Sequence, residues 1–184
     1  MMNKTERLIL RSFRSEDFDD VYAYVKDPYL LKMIGWPEID NEETGHMIFN
    51  NILEHGNYIA LEHKKDGKVI GSIGFGKIEN NRLLYDRVQI DDKLKNKKGC
   101  SLFFSLSAAY RRNGYMFEAL TAVINKLIYE DNIDYINCSY FSFNDPSRQL
   151  QQKLGFHYYW THTEGNDNLE VVENMLYKED FAFI

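Results

Sequence analysis

The residues from Arg7 to Arg11 alternate in the manner of a strand, and the pattern then changes period. Ser15, followed by Glu16, Asp17, Asp19 and Asp20, reads as an N-cap with acidic first turns. Phe18, Val21, Tyr22 and Val25 recur at helical spacing until Pro28 closes the segment. A second helix is expected to start near Asn41 and to bury Met47, Ile48, Ile52 and Leu53. Tyr58 to His63 and Val69 to Ile78 predict two strands around Lys65-Asp66-Gly67, which makes a hairpin. Leu83 to Ile90 predicts a further strand, and the polar stretch Asp91 to Gly99 reads as a loop before the apolar run Cys100 to Leu106.

From Gly114 the helical period returns, with Phe117, Leu120, Val123, Ile124, Leu127 and Ile128 on one face of a helix ending around Glu130. Tyr135 to Phe141 is strand-like. Asp145-Pro146 reads as an N-cap with proline at the first helical position, opening a short helix that stops at Gly155. His157 to Thr163 and Leu169 to Lys178 predict a final hairpin around Glu164-Gly165-Asn166-Asp167. No repeat or linker interrupts this order. The pattern predicts an α/β fold in which helices cover both faces of a sheet of mixed strand direction.

Composition narrows the picture. The 184 residues are 44% hydrophobic and 15% aromatic, enough for one sizeable core, so a single domain over residues 1–184 is expected. The net charge of −6 disfavours general affinity for nucleic acid or an anionic membrane, so any anion site has to be local. The lysine-rich run Lys93 to Lys98 lacks interleaved aromatics and reads as a solvated loop. No apolar run approaches the ~18 residues of a membrane span, and Met1 to Leu10 lacks the apolar core of a secretory signal, so a cytoplasmic protein is expected. Cys100 and Cys138 sit in apolar segments and read as buried small hydrophobes. The five histidines have no metal-ligand spacing, and neither a metal nor a glycan is expected.

The segment Leu102 to Leu120 carries the chemistry. An apolar strand runs through a short loop into a helix beginning at a glycine, which presents unpaired N–H groups and the positive end of a helix dipole. That arrangement suits phosphate. Arg111 and Arg112 add cationic charge, and Gly114 removes a Cβ from the path of a bulky anion. The spacing fits neither a P-loop nor a dinucleotide fingerprint.

At this point the chain resembles the GNAT superfamily of N-acetyltransferases. Its pyrophosphate loop has the form Q/R-x-x-G-x-G/A, and here reads Arg111-Arg112-Asn113-Gly114-Tyr115-Met116. Glu118-Ala119-Leu120, Asn144-Asp145-Pro146-Ser147 and Lys153-Leu154-Gly155-Phe156 extend the match. These last two, with the opening Thr5 to Arg11 and Val69 to Phe75, are similar to the branch that includes ribosomal-protein N-terminal acetyltransferases.

The resemblance implies a mostly antiparallel central sheet with one splayed parallel pair, Cys100 to Leu106 beside Tyr135 to Phe141. It also implies acetyl-CoA as co-substrate and an amine as acceptor, a protein N-terminus or a small-molecule amine. Backbone groups of Leu106 and Ser107 would face the pantetheine and thioester, and the amides of Arg111, Arg112, Asn113, Gly114, Tyr115 and Met116 would hold the pyrophosphate. Asn144 and Lys153 would contact the cofactor. A neutral amine attacking a thioester builds negative charge on the carbonyl oxygen, which an N–H near Leu106 would stabilise. The departing thiolate has a thiol pKa of about 8.5, and Ser147 occupies the position that the resemblance assigns to its proton donor.

Two residues depart from the family pattern. Met116 stands where the motif ends in a small residue, either crowding the phosphate or pointing into the core. Gln151 stands where many members place an acid-donating tyrosine, and an amide cannot replace a phenol as an acid. Glu62, Asp86, Glu118 and His157 are candidates for the base by residue type alone, with Glu118 read as support for its helix's first turn. These departures leave a second expectation open, a non-catalytic acyl-CoA-binding or protein-interaction module with the same fold. Oligomeric state, monomer or homodimer, is open, and the stretch Glu79 to Gly99 suits a dimer contact or a lid.

Overall fold

The computed structural model describes residues 3–78, 94 and 96–181, and separates into two compact units. The first is Met1–Gly74 with Phe104–Ala122, and the second is Phe75–Phe103 with Val123–Ile184.

In the first unit β1 (Asn3–Lys4) and β2 (Leu8–Arg11) lead into the helices α1 (Phe18–Val25), α2 (Pro28–Ile34) and α3 (Glu42–His55). The predicted hairpin follows as β3 (Tyr58–His63) and β4 (Val69–Ile78). All these pairings are antiparallel, with Leu8 opposite His63 and Ala60 opposite Ser72. The core gathers Val21, Tyr24, Leu30 and Phe49 over Ala60 and Val69.

Three expectations about helix ends and faces change here. Arg14 takes the cap position before a 3-10 turn at Ser15–Asp17, because the buried Asp17 carboxylate accepts the Arg14 N–H at 2.8 Å. Pro28 opens α2 instead of closing α1: the Asp27 carboxylate accepts the Tyr29 N–H, and the proline sits where a missing N–H costs nothing. On α3 the inward stripe is Gly45, Phe49 and Ile52, while Met47 is 66% exposed. Phe13 and Phe18 meet the Phe49 ring edge-on at 6.0 and 5.7 Å, and this aromatic cluster fixes the rotation of the helix.

The second unit contains the parallel pair. β5 (Gly99–Leu106) begins here and ends in the first unit, to which most of α4 (Tyr115–Asn125) also belongs; a π-helical turn over Lys126–Glu130 and β6 (Tyr135–Phe141) follow in the second. Next come α5 (Asp145–Lys153), β7 (His157–Glu164), β8 (Leu169–Tyr177) and the short α6 (Lys178–Phe181). Strand order in this unit is β5-β6-β8-β7, and among the described residues the β5–β6 pair is parallel while β6–β8 and β7–β8 are antiparallel. That pair runs in register from Gly99↔Tyr135 to Leu102↔Cys138 and no further, although both strands continue. The splayed parallel pair expected from the resemblance is therefore present.

Asn144, and not Asp145, caps α5, since its side chain accepts the Ser147 N–H; Pro146 falls within the first turn. Cys100 and Cys138 are buried free thiols, and burial pushes the Cys100 thiol up to about 11. The predicted strand at Leu83 to Ile90, the candidate base Asp86 and most of the stretch from Glu79 to Gly99, with parts of the Lys93 to Lys98 run, lie outside the described residues.

Candidate functional site

In the first unit the end of β5 carries the loop into α4. The backbone oxygen of Ser105 lies so close to Gly71 that a Cβ there would strike it, and Ser107 N–H donates to Ile70 O at 2.8 Å. Both groups face β4. Because alternate residues of a strand point their N–H and C=O groups to opposite edges, Leu106 between them turns its own away from β4. The Leu106 N–H is thus turned away from β4, whereas that of Ser107 is committed to it.

Beyond a 3-10 turn at Ala108–Tyr110, the chain enters α4 through two residues with positive φ, Arg112 at +62° and Gly114 at +80°. Asn113 folds its side-chain amide back onto the Arg111 carbonyl at 3.0 Å. Within the helix, Glu118 N–H donates to Gly114 O at 3.0 Å. The backbone N–H groups of Arg112, Asn113, Gly114, Tyr115 and Met116 have no acceptor among the described residues. Five open donors at the positive end of an 11-residue helix form an anion cradle.

Met116 is 5% exposed and packs inward, so the large residue that ends the motif leaves the cradle clear. Arg111 behaves differently from expectation. Its guanidinium donates to Asp27 at 2.8 Å and to Leu106 O at 3.1 Å, over the ring of Tyr29, so it braces the loop and its charge is matched. Arg112 is exposed.

A clamp that sequence reading missed holds this loop from behind. Arg7 donates through Nε to Glu118 at 2.6 Å, through its backbone N–H to the same carboxylate, and through Nη1 to Asn113 O at 2.8 Å. The guanidinium lies 4.4 Å from the Tyr115 ring centroid. Burial works to raise the Glu118 pKa, but bonds from Thr5 and Arg7 outweigh it and hold the carboxyl below its ordinary range. Glu118 is thus a tether, as its reading as helix support anticipated, and not a free base. A second brace runs from Asp66 to His63 Nδ1 (2.8 Å) and from His63 Nε2 to the Tyr115 hydroxyl (3.0 Å). The Tyr110 hydroxyl donates to Asp66 at 2.7 Å, and this bond with that of His63 holds the Asp66 carboxyl low.

In the second unit Ser147 lies in the first turn of α5, 8% exposed, and Lys153 lies exposed in its last turn. Gln151 is wholly buried: its amide donates to Ser147 Oγ at 3.1 Å, and its carbonyl accepts from Asn174 Nδ2 at 2.9 Å. Since Ser147 Oγ receives that bond, its own hydrogen is left to donate elsewhere. The residue standing in place of the family tyrosine therefore orients the serine hydroxyl. Of the other base candidates, Glu62 is taken by Arg11 Nε at 2.5 Å and His157 is an exposed residue 3.9 Å from Asp180.

Among the described residues no cluster of three or more His, Cys, Asp or Glu side chains is arranged to hold a metal, and no helix is long and apolar enough to cross a membrane.

Comparison with known proteins agrees with this geometry. The family profile described as "Acetyltransferase (GNAT) domain" matches residues 7–157. No curated protein matches the chain. A GNAT-family acetyltransferase from Bacillus anthracis superposes with a TM-score of 0.76 at 18% identity, over 97% of this chain and 99% of that one. A GCN5-related N-acetyltransferase from Brucella melitensis gives 0.79 at 11%, over 99% and 80%. The ribosomal-protein-S5-alanine acetyltransferase of Vibrio fischeri gives 0.69 at 15%, over 98% of each chain. At these identities the superpositions speak for the fold. The family match spans most of the chain, and with it the cradle at α4 and the splayed strand pair take their meaning: this chain belongs to the GNAT acetyltransferase family.

Proposed function

We propose that this acetyltransferase is a single functional domain that moves the acetyl group of acetyl-CoA to a primary amine, by direct attack in a ternary complex. The observation that carries the reading is the run of five open N–H groups from Arg112 to Met116, which suits a pyrophosphate and has no acceptor among the described residues. The Leu106 N–H, turned away from β4, would receive the charge that builds on the thioester oxygen. The Ser147 hydroxyl, its acceptor side occupied by Gln151, would protonate the departing sulfur. Asn144 serves first as the cap that fixes Ser147, and Lys153 stands at the far end of the same helix. The acceptor is a protein N-terminus or a small-molecule amine, and the setting is the cytoplasm, without nucleic acid or membrane as partner.

Calorimetric titration with acetyl-CoA and with desulfo-CoA, followed by thiol release in the presence of amines, tests this reading. Micromolar binding of both nucleotides with amine-dependent thiol release supports it, and Ser147→Ala is then expected to spare binding and lower turnover. Binding without release to any amine identifies the non-catalytic module instead. Absence of binding sinks both.

A further inference from the structure

The reaction requires an amine that has lost its proton; of the base candidates chosen by residue type, Glu62 and Glu118 are held by arginines, His157 is exposed beside Asp180, and Asp86 lies outside the described residues. The second unit contains a group free to take that proton. On β8, Glu173 is 2% exposed, and its two carboxylate oxygens accept from Asn137 Nδ2 on β6 at 2.9 Å and from His162 Nε2 on β7 at 3.0 Å. An ionised carboxylate only accepts, so the hydrogen of the His162–Glu173 bond belongs to Nε2. The neutral ring then carries its lone pair on Nδ1, which has no partner among the described residues.

The placement follows from the register. Glu173 lies opposite Ser139, one residue past Cys138, where the pairing of β5 with β6 ends. His162 lies opposite Val171, which itself faces Phe141 at the end of β6. The adjacent residue, Asn174, points to the other face of the sheet and holds Gln151, which in turn holds Ser147. The serine and the imidazole therefore flank β6 and β8 from opposite faces at the level where the strands part. A buried carboxylate–imidazole pair adds little stability over an apolar pair of the same size, so packing alone does not account for it.

We infer that His162 is the proton acceptor for the incoming amine, with Glu173 as the positioning residue that fixes its tautomer and Asn137 as the brace of that carboxylate. The inference rests on the transferase reading above. An ammonium gives one proton to His162 Nδ1, and the freed lone pair forms the N–C bond at the thioester carbon. The C–S bond breaks with its electron pair on sulfur, which takes the Ser147 proton; the nitrogen's second proton restores the Ser147 hydroxyl, and Nδ1 returns its proton to water. The charged groups facing the ring are Glu173 on β8 and Glu164 on its own strand, 3.8 Å from Nε2; Trp160 stacks on it at 5.4 Å.

The test is thiol release from acetyl-CoA between pH 6 and 9.5, with a peptide beginning in alanine and with spermidine as probe amines. It compares wild type, His162→Gln and Glu173→Gln, with acetyl-CoA affinity measured alongside. Glutamine at 162 keeps an N–H for Glu173 but has no lone pair that titrates. The expected result is a loss of about 100-fold or more in kcat/KM for the amine at pH 7, narrowing as pH rises and the amine deprotonates by itself. Acetyl-CoA affinity should stay within about twofold, and Glu173→Gln should show a smaller loss with the same narrowing. A deficit independent of pH, or none, overturns the assignment while leaving the transferase intact. Acetyl-CoA binding with transfer to neither probe by the wild type sinks the transferase reading and this assignment together.

Discussion

Gln151→Leu removes an amide that is wholly buried and keeps the size of the side chain. In the native protein that amide donates to Ser147 Oγ and, at 3.5 Å, to Ser139 O, and accepts from Asn174 Nδ2. The substitution leaves the buried Asn174 amide and the Ser139 carbonyl each short of one partner. Each group left without its partner costs about 1–3 kcal/mol, and the leucine recovers roughly 1 kcal/mol of transfer energy, so a net loss of about 1–5 kcal/mol is expected. For a chain of this length that corresponds to a fall in Tm of roughly 2–20 °C. Urea titration monitored by far-UV circular dichroism measures it, with the midpoint falling and the slope unchanged. Gln151→Glu separates stability from chemistry, because an ionised carboxylate would still accept from Asn174 but would draw the Ser147 hydrogen toward itself. Turnover should then fall with acetyl-CoA affinity retained. A leucine variant within about 0.5 kcal/mol of wild type would refute the claim that this amide is the linchpin of the Ser147 site.

Gly114→Ala adds backbone strain of about 1–2 kcal/mol at φ +80° with its Cβ 3.4 Å from Arg7, whereas Gly114→Asp adds a negative charge against the cradle. Calorimetry with acetyl-CoA should show the aspartate variant binding at least tenfold more weakly than the alanine one, and equal affinities would exclude this loop as the anion site. Arg11 is 5% exposed between Asp17 and Glu62, and Arg11→Met leaves both carboxylates without their cation; a destabilisation of about 3–5 kcal/mol is expected by urea titration. The depressed pKa of Glu118 means that its contribution to stability is present above the ordinary glutamate range and is lost as pH falls through the folded value. Glu118→Gln should therefore flatten the fall in Tm below about pH 5, and an unchanged acid slope would remove Glu118 from the clamp.

Local pattern was enough for most elements because it is set by residues close in sequence. Tyr58–His63, Val69–Ile78 and Tyr135–Phe141 occupy the predicted ranges, since alternation and apolar runs bounded by turn residues fix strands locally. Helix ends were less legible. Whether Asp27 caps the next helix or Asn144 displaces Asp145 depends on which side chain reaches a particular N–H. The loop that opens α4 stood out because a glycine at a helix start carries its own geometry, whereas the bond that orients the Ser147 hydroxyl could not be seen in the sequence.

What the sequence by itself determined was the order of elements, the family motif and the identity of the loop that opens α4. Tertiary structure alone decided what each charged or polar group does. Arg111 and Arg112 look alike in the sequence, yet Asp27 neutralises one and leaves the other exposed. Arg7 and Glu118 stand 111 residues apart and become a clamp only when the chain just before β2 meets the first turn of α4. Gln151 reads as a lost acid until Asn174 and Ser147 close around it. His162 and Glu173 lie 11 residues apart on two strands, and only the hairpin register brings them to one face. Local spacing encodes backbone periodicity, but the partner of a side chain is set by contacts distant in sequence, and its chemistry follows from that partner.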